Sequence, residues 1–292
     1  MRSLPGFLLA IFLVFFLGSC GKKETKETDL VTFTIRGEVV GIDTTRKTIT
    51  IAHEEIPNYM MAMTMPFKVK NPALLSVAGV GDSVQGTLAV SRTESWLEAL
   101  GVIGKGETPA TLSPEAIMMH HLILPGNAVP NVTFMNQDGR QIHLDDYRGN
   151  VLALTFIYTR CPLPDFCIRM SNHFAKLQNS LRKERSLDGK WHLLSVSFDP
   201  KFDSPGVMKE YGKSYGADFA LWEFATDPDT SGRTVTQLAN AFDLEYEADQ
   251  GLINHNLRTV IIDKEGKLVK VITGNEWTPD EVASEMRALI QQ

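Results

Sequence analysis

The chain carries no excess of positive charge, few cysteines, and no opening apolar run long enough for a spanning helix. Lys and Arg number 29 against 35 Asp and Glu, a net charge of −6. Without a basic surface to neutralise phosphates, DNA and RNA are excluded as partners. Three cysteines in 292 residues exclude a disulfide scaffold. The first apolar run, Phe7 to Leu17, is eleven residues long, against the roughly 20 that a membrane-spanning helix needs. The rest is ordinary for a folded protein: 43% hydrophobic, 22% charged and 9% aromatic residues rule out a disordered or collagen-like chain. At roughly 100–200 residues per domain, the length predicts two domains.

The first 20 residues stand apart. Arg2 followed by the run to Leu17 has the form of a signal peptide. It ends Leu17-Gly18-Ser19-Cys20, which resembles a bacterial lipobox; that resemblance implies lipidation at Cys20, the new N-terminus of the exported chain. The plainer alternative is a secretory peptide with an incidental cysteine. Residues 21–30 are polar and charged, a tether between anchor and fold. The expectation is a periplasmic or outer-face lipoprotein held to the membrane through Cys20.

Two cysteines then remain, Cys161 and Cys167, six positions apart. A bridge closing so small a loop removes little chain entropy, so stability is a poor reason for the pair. A redox couple or two metal ligands fit better, with a structural bridge as the alternative.

Residues 31–50 alternate β-branched and polar residues, broken at Gly41-Ile42-Asp43, which reads as strand, turn, strand. Phe67–Lys70 and Asp82–Val90 add short strands, and such spacing over residues 31–99 predicts a small all-β barrel, OB-like and five-stranded. Residues 100–121 read as a linker, part of a Pro- and Gly-rich stretch running from Gly104 to Pro130. Residues 122–292 change rhythm. A hairpin signal at Asn136-Gln137-Asp138-Gly139 precedes the continuous apolar run Val151–Tyr158, as in a strand buried on both faces. Helices are expected over 168–185, 204–215, 231–242 and 279–290, with strands at 192–198, 259–262 and 268–272. Strands alternating with helices around a cysteine-bearing strand end predict a thioredoxin-like α/β domain.

The cysteines sit in YTRCPLPDFC, Cys161 just past the buried strand and Cys167 near a helix start. A helix N-terminus favours thiolate, the species that attacks disulfides and binds soft metals. Paired sulfurs suit Cu(I), because a soft cation gains most from polarisable donors. The stretches DGRQIHLDDYRGNVLALTFIYTRCP, LLSVSFDP and INHNLRTVIIDKEGKL resemble the Sco/SenC family. Those are exported, membrane-tethered, thioredoxin-fold copper proteins associated with the dinuclear copper centre of cytochrome c oxidase. The resemblance implies a copper site of Cys161, Cys167 and His255. One departure is that the family's usual C-x-x-x-C becomes here a pair separated by five residues, two of them proline.

His255 lies just before the expected strand at 259–262, in a loop that faces the cysteines in thioredoxin folds; an ordinary hydrogen-bonded loop histidine is the alternative. No proline occurs between Asp229 and Thr278, so the proline that general disulfide oxidoreductases carry before that strand is missing. Thiol chemistry on a single metalloprotein partner stays open. Asp199, ending the strand after the cysteine helix, is either an orienting carboxylate or a turn residue before Pro200.

The first domain holds Met60, Met61, Met63 and Met65, four of the chain's 11 methionines. In a strand Met63 and Met65 share a face. Thioethers bind Cu(I) or Ag(I) where thiols would pair off, although methionine also fills cores. GEVVGIDTTRKTITIAHEEIP followed by AMTMPF resembles the CusF-type periplasmic copper/silver-binding domain. That implies His53, Met63 and Met65 as ligands, with Met60, beside Tyr59, in place of the family's capping tryptophan; Trp96 is too distant in sequence for the role. Met118, Met119, His120 and His121 are assigned to the linker.

The combined expectation is a lipid-anchored copper metallochaperone, receiving Cu(I), or silver, in one domain. The other would deliver copper as Cu(I) or Cu(II) to the copper-site subunit of the oxidase. The alternatives are a thiol–disulfide reductase using Cys161 and Cys167 on that subunit, and a periplasmic copper/silver buffer.

Overall fold

The computed structural model describes residues 30–60, 62–91, 94–106, 122–249 and 252–292. The expected signal peptide with Cys20, nearly all of the tether, Met61 and the linker's Met118, Met119, His120 and His121 lie outside them.

The first unit is an antiparallel sheet of β1 (Val31–Asp43), β2 (Thr48–His53), β3 (Met63–Lys68), β4 (Asp82–Val90) and β5 (Ser95–Lys105). Their order is β3-β2-β1-β4-β5, and a bridge between Val69 and Leu97 draws the two edges together. Inward residues two apart (Ile49 with Ile51, Met65 with Phe67) build its core, as the pleat requires.

Three details differ from expectation. Gly41 is not a turn: β1 continues through it with a register shift between Val39 and Gly41, the use of glycine at a bulge. The turn falls at 44–47, closed by Lys47 with φ 56°. β3 starts at Met63, four residues earlier than expected, because the methionine run pairs with β2. β5 carries the sheet to Lys105, past residue 99 where the linker was expected to begin. Its outer half is exposed and shows no apolar alternation, so its hydrogen bonds to β4 alone define it.

The second unit comprises β6 (Thr133–Asn136), β7 (Gln141–His143), β8 (Val151–Ile157), α1 (Cys167–Leu181), β9 (Trp191–Ser197), α2 (Pro205–Ser214) and β10 (Trp222–Thr226). It continues through α3 (Arg233–Ala241), β11 (Tyr246–Asp249), β12 (Leu252–His255), β13 (Arg258–Ile262), β14 (Leu268–Thr273) and α4 (Pro279–Gln291). The seven-stranded sheet runs β14-β13-β8-β9-β10-β6-β7, and β11 and β12 form a separate hairpin. β8, β9 and β10 are parallel and the other pairings antiparallel. Every residue of β8 is buried, as its apolar run demands. β10 was not anticipated: four of its five residues are buried and only Glu223 is half-exposed, so burial shows no period of two. This is the expected thioredoxin-like α/β fold beside a five-stranded β unit.

α1 buries Cys167, Met170, Ser171, Phe174, Leu177, Gln178 and Leu181, a helical stripe that seats its first turn against the end of β8. That seating decides where the cysteines stand.

Candidate metal centres

Cys161 follows β8 in a loop and Cys167 opens α1; both are buried free thiols. The backbone N–H of Tyr158 points at Cys167 Sγ, 3.5 Å away. The turn that leads from β8 into Cys161 is held from beneath. Asp203, fully buried, accepts the backbone N–H of Thr159 at 3.0 Å, the Thr159 hydroxyl at 2.5 Å and the Ser197 hydroxyl at 2.5 Å. Burial raises the Asp203 carboxyl above its ordinary value, while these three donors oppose the rise. Sequence reasoning chose Asp199 in that stretch and missed Asp203, four residues on. Asp199 instead takes the Arg160 guanidinium at 2.5 and 3.2 Å, so it fixes the residue beside Cys161.

His255 ends β12. Its Nδ1 lies 2.8 Å from the carbonyl of Asn256, which can only accept, so the proton sits on Nδ1. The lone pair of Nε2 is left on the sulfur side, 3.7 Å from Cys167 Sγ. Phe198, Phe166 and Tyr158 wall the ring, with centroids 4.6, 5.6 and 5.9 Å away. The ligand atoms of Cys161, Cys167 and His255 all lie within 4.8 Å of one another. Sulfur and nitrogen donors bonded at about 2.0–2.3 Å stand at most about 4.6 Å apart, so the triad can close on one ion with little movement.

The two thiols are driven in opposite directions. Hydrogen bonding from Cys167 holds Cys161 well below the ordinary thiol value against its burial. Complete burial, with Cys161 beside it, pushes Cys167 well above. Of the pair, Cys161 is the more acidic thiol and Cys167 the less acidic.

The inter-cysteine loop has a partner in the first unit. Asp165 Oδ2 accepts the backbone N–H of Ser95 at 2.7 Å and also the Ser95 hydroxyl. Its other oxygen pairs with Arg169, and its carbonyl accepts Asn275 Nδ2 at 2.7 Å. Nothing local in the sequence signals that contact.

In the first unit, His53 sits directly opposite Met63 in the β2–β3 register, with Met65 opposite Ile51. Cross-strand partners and residues two apart share a face, so His53, Met63 and Met65 do. His53 donates Nδ1–H to the Glu54 carbonyl at 2.7 Å, and its buried Nε2 has no hydrogen-bond partner. Burial lowers its basicity, which keeps the ring neutral and able to bind an ion. An orphaned imidazole nitrogen beside two thioethers fits a soft monovalent cation. Met60 is buried in the core with its backbone bonded to Ile56. Lys70 Nζ already covers the Trp96 ring, 3.1 Å from its centroid, and Tyr59 stacks on Phe33 at 4.4 Å.

Residues 125–291 match the family described as SCO1/SenC, and residues 32–100 match the one described as copper binding periplasmic protein CusF. The chain is 30% identical over 159 residues to the SCO1 protein homolog of Bacillus subtilis, covering 53% of this chain and 79% of that protein. It is 28% identical over 142 residues to a SCO2-like protein of Rickettsia felis, covering 47% of this chain and 64% of that one. A solved SCO1/SenC family lipoprotein from Bacillus anthracis superposes with a TM-score of 0.50 at 27% identity, over 57% of this chain and 98% of that one.

Proposed function

Given that the chain belongs to the SCO1/SenC family, we propose that it is an exported, lipid-anchored copper metallochaperone serving the dinuclear copper centre of cytochrome c oxidase. The observation that carries the reading is the Cys161–Cys167–His255 triad, three soft or borderline donors converging in a buried place. Copper is cargo here. The thiolate of Cys161 takes the ion first, Cys167 joins on giving up its proton, and His255 supplies Nε2 because Asn256 holds the other nitrogen. The His53, Met63 and Met65 site takes Cu(I), or silver, in the oxidising periplasm, since thioethers neither titrate nor oxidise to disulfides. Cys20, by its lipobox-like context, is the anchoring residue, and the oxidase subunit carrying the copper site is the partner.

Copper should bind the C-terminal site about 1:1, with Cys161→Ser or Cys167→Ser abolishing binding there and His255→Ala weakening it and altering the Cu(II) spectrum. Unchanged copper content in all three variants overturns the assignment. A second reading, a thiol–disulfide reductase acting on the oxidase cysteines, draws on the opposed displacement of the two thiols. An acidic attacking cysteine beside a proton-holding one is what exchange chemistry uses. In that case copper-free protein reduces the oxidised subunit and His255→Ala leaves the rate nearly unchanged.

A further inference from the structure

The two candidate sites share a space. A cleft of about 710 Å³ opens between the units, with Ala62, Met63 and Thr64 on one wall and His255, Asn256 and Arg258 on the other. His255 borders it while neither cysteine does, so imidazole stands between the cleft and the sulfurs. Met63, one of the thioethers of the first site, lines the same cleft. Glu245 and Glu247 are exposed along the cleft, and Asp243 is neutralised by Arg258 at 2.6 Å, so the lining favours a cation.

The walls are pinned together. Ser95 and Asp165, 5% and 4% exposed, form the buried contact, and Asp165 lies inside the inter-cysteine loop. Tyr59 of the first unit stands close enough to Asp165 and Cys161 for their negative charge to add to burial in raising its phenol. Pro66 of β3 packs at Gly274, 3.8 Å from where a Cβ would stand. Arg46 reaches Glu281 at 2.5 Å, an exposed pair that adds little.

Resting on the copper reading above, we propose that the cleft is an internal Cu(I) passage. The ion leaves Met63 for His255 and then the two sulfurs, while the Asp165–Ser95 latch on the lengthened inter-cysteine loop holds donor and acceptor face to face. The transfer is ligand exchange at constant oxidation state. The bonds from copper to the His53 imidazole and the two thioethers break, a bond to the His255 imidazole and two thiolate bonds form, and any thiol proton still present passes to water in the cleft. The stronger hold of thiolates on a soft ion sets the direction.

The test uses the reduced, anaerobic full chain mixed rapidly with one equivalent of Cu(I) as its labile acetonitrile complex, followed by the thiolate-to-copper ultraviolet absorption. Met63→Ile keeps Cys161, Cys167 and His255, yet filling should slow about tenfold or more, because the tethered donor is lost, with the same final amplitude. Ser95→Asp sets a second carboxylate against Asp165 and parts the walls; in that background Met63→Ile should no longer change the rate. Asp165→Ala, which removes the acceptor, opens the same latch from the other side should the charged strand fail to fold. A wild-type rate for Met63→Ile, or an equal slowing with the latch opened, overturns the passage. Absence of the thiolate band in every protein, wild type included, overturns the copper reading itself.

Discussion

Asp203 holds Thr159 by both its backbone N–H and its hydroxyl, two residues before Cys161 and 44 residues away along the chain. The carboxylate therefore sets the height of the loop from which Cys161 projects. It does so without touching either sulfur.

Asp203→Asn should leave the fold intact and change its pH response. Because burial raises the carboxyl in the folded state, the folded protein holds that proton more tightly than the unfolded chain. The sign follows: this contribution to stability is complete below the ordinary aspartate range and is lost as pH rises through the raised value. The melting temperature of wild type minus that of the Asn variant should fall with pH over that window and then level off. A difference independent of pH contradicts it.

Thiol labelling should separate the cysteines. With Cys161 held well below and Cys167 well above the ordinary thiol value, iodoacetamide at about pH 6, some two units under a free cysteine, should modify Cys161 and spare Cys167 until the protein unfolds. Peptide mass mapping reads the ratio directly. Equal labelling of both would contradict the assignment of the charge to Cys161.

The first site should lose its monovalent ion in a Met63→Ile/Met65→Ile double variant. Isoleucine keeps roughly the apolar volume, so the expected stability cost is below about 1.5 kcal/mol per site. Silver titration followed by mass spectrometry should show one Ag(I) fewer per chain. Retention of that ion would make the methionines core packing alone.

Gly37 pairs with His53 across β1 and β2, and a Cβ there would stand 2.3 Å from the Ala52 carbonyl oxygen and 2.6 Å from His53 Cα. Gly37→Ala should therefore cost about 1–3 kcal/mol, as overpacking does. It should also weaken Ag(I) binding by shifting His53, while copper stoichiometry at Cys161 and Cys167 stays at the wild-type value. Denaturant melting together with the two titrations checks both halves.

The sequence by itself marked what local chemistry can mark. The apolar run of β8, the alternation in β1, β2 and β4, and the cysteines at a strand-to-helix junction are written in neighbouring residues. So is the Met63–Met65 pair, because a period of two is a local property of strands, whereas His53 joined it only through the resemblance to the CusF-type domain. β10 escaped because four buried residues out of five leave no period. The outer part of β5 escaped because exposed backbone pairing leaves no pattern in side chains. Asp203 was passed over for Asp199, since two carboxylates four residues apart look alike until a backbone turns one inward.

The tertiary structure alone decided how the parts meet. His255 stands 3.7 Å from Cys167 across 88 residues of chain, and Ser95 meets Asp165 across 70. Such contacts arise when packing of whole sheets and helices repays the entropy of closing long loops, a balance that no short window of sequence contains. The sequence named the donors on each side; only the fold set Met63 and His255 around one cleft.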